Sequence, residues 1–263
     1  MFNKDEILQF VSLGRYVIYC FNETHVTANI LDQELQNGDY QIMRCDSHSR
    51  FTGGVLMYIH ETVKADIMCN LNIDNAIWIL GIRYWDLKRQ AHNLICVYRS
   101  PNTNPGLFFQ KYQDIFSLFD LSLHIMFVGD LNINVKEKSY YCERLLNEMK
   151  EYGLNQVVKD YTRITARSKT LIDLVFTNDN RMKATVRDTP KISDHSLIEI
   201  QLTELNRRIP YIEHIPIYTR CFKNFDGIQF RRILTNLKWS HKHTNPDEVI
   251  AELYSNIDTA LDI

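Results

Sequence analysis

A layered α/β fold is what the sequence predicts, and three observations predict it. Short runs rich in Val, Ile and aromatic residues recur between residues 16 and 202, and amphipathic helical segments fall between some of them. With 45% hydrophobic and 24% charged residues among 263, the chain also has enough apolar material for a sizeable core.

Taken in order, "NKDEILQFV" predicts a first helix, with Ile7, Leu8 and Val11 on one face and Asn3 as its cap. "YVIYCF" (16–21), "GGVLMYI" (53–59), "AIWILGIRY" (76–84) and "NLICVY" (93–98) predict strands. A helix is expected over 107–119, a buried strand over 124–129, and a helix over 140–153 that stops at Gly153. "TLIDLVFTN" (170–178) and "SLIEIQL" (196–202) continue the strands. Near residue 205 the character changes. A basic, proline-containing stretch reads as a linker, and 228–239 and 246–263 read as amphipathic helices. The expected division is therefore 1–205 and 206–263.

Net charge is −2, from 30 basic and 32 acidic residues, so nothing draws the whole molecule to nucleic acid or anionic lipid; a local basic patch is not excluded. Six Cys, at 20, 45, 69, 96, 142 and 221, form no zinc-like spacing. Cys20 and Cys96 lie in apolar runs and read as reduced core residues, which points to a reducing compartment. "YVIYCF" is too short to span a membrane, and the N-terminus does not read as a signal peptide.

Four strand-like segments end in, or are preceded by, acids or amides. They carry Glu23 in "YCFNETH", Asp130 and Asn132 in "FVGDLNIN", Asp173 in "TLIDLVFTN", and Asp194 with His195 in "KISDHSLIEI". In an α/β layer, strand ends bring distant residues to one crevice. Carboxylates gathered there repel one another, a conflict that a hard Mg²⁺ or Mn²⁺ relieves. If 130–132 is extended, Asp130 and Asn132 face the same side, and Gly129 lets another group approach closely. Singly, each has an ordinary explanation: a turn aspartate, a capping "SDH", a half-buried Tyr98 at a strand end. Their order and form together outweigh it.

The ordered set ETH, YRSPN, GDLNIN, IDLVFTN and SDHSLIEI resembles the endonuclease/exonuclease/phosphatase superfamily, and within it the endonuclease domain of non-LTR, jockey-like retrotransposon reverse transcriptase polyproteins. The resemblance covers residues 1 to about 203. It implies a DNase I-like four-layer sandwich of two mixed β-sheets flanked by helices, and Mg²⁺-dependent nicking of DNA. It implies Glu23 and Asp194 as metal ligands, the latter outer or second. Asp130 would orient or deprotonate the attacking water, and Asn132 would hold that water or a phosphate oxygen. Tyr98 would donate to the phosphate, and Asp173 would fix and charge His195, which then stabilises the phosphorane. Asn134 is equally explained by a surface turn.

The tail resembles the segment joining endonuclease to reverse transcriptase, and no reverse transcriptase domain follows in this chain. The family's first strand, with its Asn, is not matched: "MFNKDEI" already looks like the first helix, and Asn3 is misplaced for the role. A weakened catalyst, or an inactive nucleic-acid-binding or interaction remnant of a mobile element, is the alternative expectation. A sibling hydrolase of phospholipid head groups is a third. "RCDSHSRFTGGV" matches the family's Arg-x-Asp before Gly-Gly-Val in part, with Ser47 where a basic residue often stands. Arg99, Arg163, Arg167 and Lys169 are expected to contact DNA phosphates. The expected partner is DNA, without membrane or small-molecule cofactor. Nuclear residence follows from that substrate, with the cytoplasm as the other expectation.

Overall fold

The computed structural model describes residues 4–190, 192–201, 226–237, 239 and 245–261. Asn3, Cys221 and the linker stretch through residue 225 lie outside the described residues. Two compact units are distinguished, Met1–Ile212 and Glu213–Ile263.

The first unit begins with helix α1 (Lys4–Ser12), strand β1 (Ile18–Asn22), the short helix α2 (Asp32–Leu35), and strands β2 (Tyr40–Cys45), β3 (Val55–His60), β4 (Ala65–Ile73), β5 (Ile77–Trp85) and β6 (Ala91–Arg99). Helix α3 (Pro105–Phe116), β7 (His124–Asp130) and α4 (Tyr140–Glu151) follow. The unit closes with the two-residue strands β8 (Asn155–Gln156), β9 (Arg163–Ile164) and β10 (Lys169–Thr170), then β11 (Asp173–Thr177), β12 (Lys183–Arg187) and β13 (Leu197–Gln201).

A six-stranded sheet has the order β4-β5-β6-β7-β11-β8, and a three-stranded one the order β1-β3-β2. The larger sheet is mixed, because β6 and β7 are parallel. That connection needs a crossover, which α3 supplies. Asn104 caps α3 by accepting from the Gly106 N–H at 2.8 Å, and Pro105 sits in its first turn. This cap starts the helix two residues before the periodicity suggests. The smaller sheet is antiparallel throughout, not mixed, and β12–β13 form a separate two-stranded ladder.

Strand β3 shows how the layers stack. Val55, Met57 and Ile59 join the main core with Ile79, Val97 and Phe127, whereas Leu56 and Tyr58 face a second cluster with Ile7, Phe10 and Val11 of α1. Phe108 and Phe116 of α3 pack their rings against Phe127. Helix, small sheet, large sheet and helices thus form the expected layers of a DNase I-like sandwich.

Strand β4 is not legible as an apolar run, because it is an edge strand rich in polar residues. Cys20 also departs from expectation. It is exposed rather than in the core, because β1 ends the small sheet and carries no neighbour on its far side among the described residues, while Cys96 is buried. Gly129 has φ +144°, and a Cβ there would collide with the Val97 carbonyl and the Asn22 amide. Gly129→Ala is expected to lower the melting temperature by several degrees, read by circular dichroism, because the neighbour in the way is sheet backbone.

The second unit contains α5 (Gly227–Asn236) and α6 (Pro246–Leu261). Asp226 caps α5 by accepting from the N–H groups of Ile228 and Gln229. Ile228, Val249, Ile250 and Tyr254 are exposed on these helices. No helix among the described residues is long and apolar enough to cross a membrane.

Candidate active site

Register alone assembles the centre. Tyr98 pairs with Asp130 across β6 and β7, and Asp130 pairs with Asp173 across β7 and β11. Three reactive side chains therefore stand in one row on adjacent strands, on the face turned toward the small sheet. Asn22, the last residue of β1, ties the two sheets together here: its Nδ2 donates to the Val97 carbonyl at 3.1 Å. Glu23 follows directly, in a left-handed conformation with φ +53°. Its carboxylate lies 3.6 Å from His25 Nε2, too long for a hydrogen bond.

Asp173 accepts from His195 Nδ1 at 2.8 and 2.9 Å. With Nδ1 so committed, Nε2 is the nitrogen left for a substrate. Asp130, Asp173 and His195 offer ligand atoms all within 4.8 Å of one another. Asp194 lies in the adjoining loop, and its carboxylate accepts from Arg163 Nε at 2.7 Å. Of the residues singled out in the sequence, Glu23 and Asp194 stand outside this close trio. Both remain electrostatically coupled to the centre: Glu23 acts on Tyr98 and Asp130, and Asp194 on His195.

Thr162 and Arg163 hold the His195 loop in place, and no motif marks Thr162 in the sequence. The buried Thr162 hydroxyl accepts from the N–H groups of Ile172 and Asp173 at 3.3 and 3.1 Å, while its carbonyl accepts from Ser196 N–H at 2.7 Å. One side chain and its backbone thereby fix both halves of the His195–Asp173 pair.

Asn132 meets Asp130 by a different route from the one its spacing suggests. The segment is not extended there, since Asn132 has φ +50°. Its backbone N–H donates to Asp130 Oδ1 at 2.8 Å, and its Nδ2 donates to Asp130 Oδ2 at 3.2 Å and to the Arg99 carbonyl at 2.8 Å. Asn134 is a turn residue, its Oδ1 accepting from Lys136 and Leu171 N–H groups.

Arg99 contradicts its expected role. It is 2% exposed, and its guanidinium donates to the carbonyls of Leu131, Ser100, Thr103 and Asn132, so it is not placed to meet a DNA phosphate. Arg163 is engaged by Asp194, whereas Arg167 and Lys169 are exposed around the β9–β10 hairpin. In the partly matched loop, Arg44 pairs with Asp46, and Ser47 is buried, its N–H donating to the Val26 carbonyl at 2.7 Å.

Burial dominates the electrostatics. It pushes the Asp130 carboxyl up to about 7, helped by the neighbouring Asp173 charge and opposed by His195. Burial also opposes charge on His195, but the carboxylates of Asp173, Asp130 and Asp194 override it and raise its affinity for a proton. Tyr98 is raised by burial and by the charges of Glu23 and Asp130, so it remains a neutral phenol; its buried hydroxyl makes no hydrogen bond of good geometry among the described residues, with Glu23 and Thr52 nearest to it. Burial disfavours the Asp194 charge, yet the Arg163 guanidinium holds its carboxyl below the usual range. The arrangement brings together a carboxyl acceptor, an imidazole with raised proton affinity and a neutral phenol donor.

Comparison with known proteins places this geometry. Residues 92–199 match the family described as endonuclease-reverse transcriptase. Among solved structures, the endonuclease domain of TRAS1, a telomere-specific non-LTR retrotransposon, is similar with a TM-score of 0.60 at 14% identity, over 78% of this chain and 93% of that one. An AP endonuclease from Archaeoglobus fulgidus gives 0.57 at 14% identity, over 76% and 94%. The APE2 catalytic domain of Xenopus laevis gives 0.55 at 14%, over 74% and 87%. No curated protein matches. The fold is that of the endonuclease/exonuclease/phosphatase superfamily, as the motifs imply.

Proposed function

We propose, for a chain that has the endonuclease/exonuclease/phosphatase fold, that it is a divalent-metal-dependent phosphodiesterase that nicks DNA. The observation that carries this reading is the row Tyr98–Asp130–Asp173, with His195 locked on Asp173.

The residues fit a hard cation. Carboxylates converge, and burial and mutual repulsion leave Asp130 reluctant to ionise, a conflict a cation relieves. Glu23 would hold Mg²⁺, or Mn²⁺, directly; Asp194, already paired with Arg163, suits the outer position that the resemblance gives it. When bound, the ion would neutralise charge on the phosphate and the departing 3′ oxygen. The close trio itself is better explained as acid–base machinery, because His195 Nδ1 is already committed to Asp173.

Asp130 would take the proton of the attacking water. Asn132 has both Nδ2 hydrogens engaged, so only its Oδ1 is left for a ligand. An acceptor suits the water and not a phosphate oxygen. Tyr98, a buried phenol that makes no hydrogen bond of good geometry among the described residues, would donate to the phosphate, and His195 in its protonated form would face the charge that develops opposite. Exposed Arg167 and Lys169 would follow the DNA backbone. With DNA as substrate, the nucleus is the proposed compartment, and the 206–263 segment is proposed as a connector.

The test is nicking of supercoiled plasmid with Mg²⁺, with EDTA as control. Tyr98→Phe is expected to reduce turnover roughly 10- to 100-fold, the cost of one hydrogen bond to a charged group. Absence of nicking by the folded chain with either metal would defeat this reading in favour of a binding remnant.

A further inference from the structure

We propose that Arg99 is a positioning residue that builds the turn carrying Asp130 and Asn132; the inference rests on the nuclease reading of that site. A charged side chain is seldom fully buried unless it is paired or fully hydrogen-bonded. Arg99 has backbone carbonyls for direct partners: Nε donates to Leu131 at 2.6 Å, one terminal nitrogen to Ser100 at 3.0 Å and to Thr103, and the other to Asn132 at 2.9 Å. Two of these carbonyls belong to the residues that immediately follow Asp130.

The contacts form a closed circuit. Arg99 holds the Leu131 and Asn132 carbonyls with its side chain, and its own carbonyl receives Asn132 Nδ2 at 2.8 Å. Asn132 then returns to Asp130 through its backbone N–H and through Nδ2. A non-glycine residue at φ +50° persists only where its surroundings over-determine it. Here the guanidinium fork supplies that constraint, gripping carbonyls from two chain segments at once. The same fork takes hold of Ser100 and Thr103, the loop that leads into α3. The ends of β6 and β7 are therefore set by one side chain, and with them the spacing of Tyr98, Asp130 and Asn132. A lysine has a single donor nitrogen and cannot reproduce the planar fork.

The experiment compares wild type with Arg99→Lys, Asn132→Ala and the double variant in single-turnover and steady-state nicking with Mg²⁺. Arg99→Lys is expected to lower kcat about 100-fold while KM changes less than about threefold, as for a misplaced reacting group. Because both residues act through one turn, the double variant should lose little more than the worse single one. A separate measurement needs no turnover and no folded variant: hydrogen exchange of the Arg99 Nε–H and of the Asn132 backbone N–H in the wild-type chain. Both are expected to exchange as slowly as the amides of β6 and β7. Fast exchange, near-native kcat in Arg99→Lys, or strictly multiplicative losses would each overturn the proposal. Failure of wild type to nick would defeat the nuclease reading, and the exchange rates would still decide whether Arg99 holds the turn.

Discussion

Asp130→Ala is expected to reduce plasmid nicking about 10³-fold, in the range for loss of a positioned general base. The same substitution should alter how stability depends on pH. In the folded chain the Asp130 carboxyl is pushed from an ordinary value of 3.8 to about 7. Between those values the folded state holds a proton that the unfolded chain has released. Stability is therefore highest below about pH 4 for this group and falls as pH rises toward 7, becoming constant above. The raised His195 acts in the same direction: its contribution is complete below the ordinary His range and is lost as pH rises through its folded value.

With divalent ions chelated, wild type should lose on the order of 2–4 kcal/mol from this effect, roughly 5–10 °C in melting temperature between pH 5 and pH 8. Asp130→Ala should flatten most of that slope, and Mg²⁺ should restore wild-type stability at pH 8. Differential scanning calorimetry checks all of this. An identical slope in the variant would mean that Asp130 is not held protonated by its surroundings.

The second large effect is expected at the imidazole. His195→Ala should lower turnover by roughly 10²–10⁴-fold. Asp173→Asn tests the pair more finely, because it keeps the shape and removes the charge that favours the cation. If protonated His195 faces the developing charge, activity should decline on the alkaline side as the imidazole deprotonates. The Asp173 carboxylate holds that limb above the ordinary His range. Removing it should move the limb to lower pH, alongside a loss in kcat, and a pH–rate profile of both proteins reads the shift. An unmoved alkaline limb would assign it to some other group.

Much of the fold and of the site is legible in the sequence, for a definite physical reason. Strands buried on both faces, such as β6 and β7, must be apolar along their length, so the polar residue that ends each of them stands out. Asp130 and Asp173 are visible because each sits at such a break, whereas His195 stands out only by its place beside Asp194 just ahead of the β13 run. Edge strands carry no such signal, and β4 with its polar residues gives none. The spacing brings Asn132 to the right place for the wrong reason, since a left-handed turn and not an extended strand aims it. Arg99 misleads because charge ordinarily signals solvent, and nothing in "VYRSPN" announces four carbonyls waiting inside. Thr162 is invisible since its role depends on Asp173 and Ser196, which reach it only after folding.

The reactive row stands on three neighbouring strands of one sheet, whereas the exposed cations Arg167 and Lys169 belong to a peripheral hairpin. The hairpin is nevertheless tied to that row, because Arg163 at its base bridges to His195 and binds the Asp194 carboxylate. On the proposed nuclease reading, changes confined to the hairpin tip would alter grip on the substrate backbone alone, whereas exchange of the whole hairpin would also shift the imidazole, so any grafted loop would have to keep Arg163.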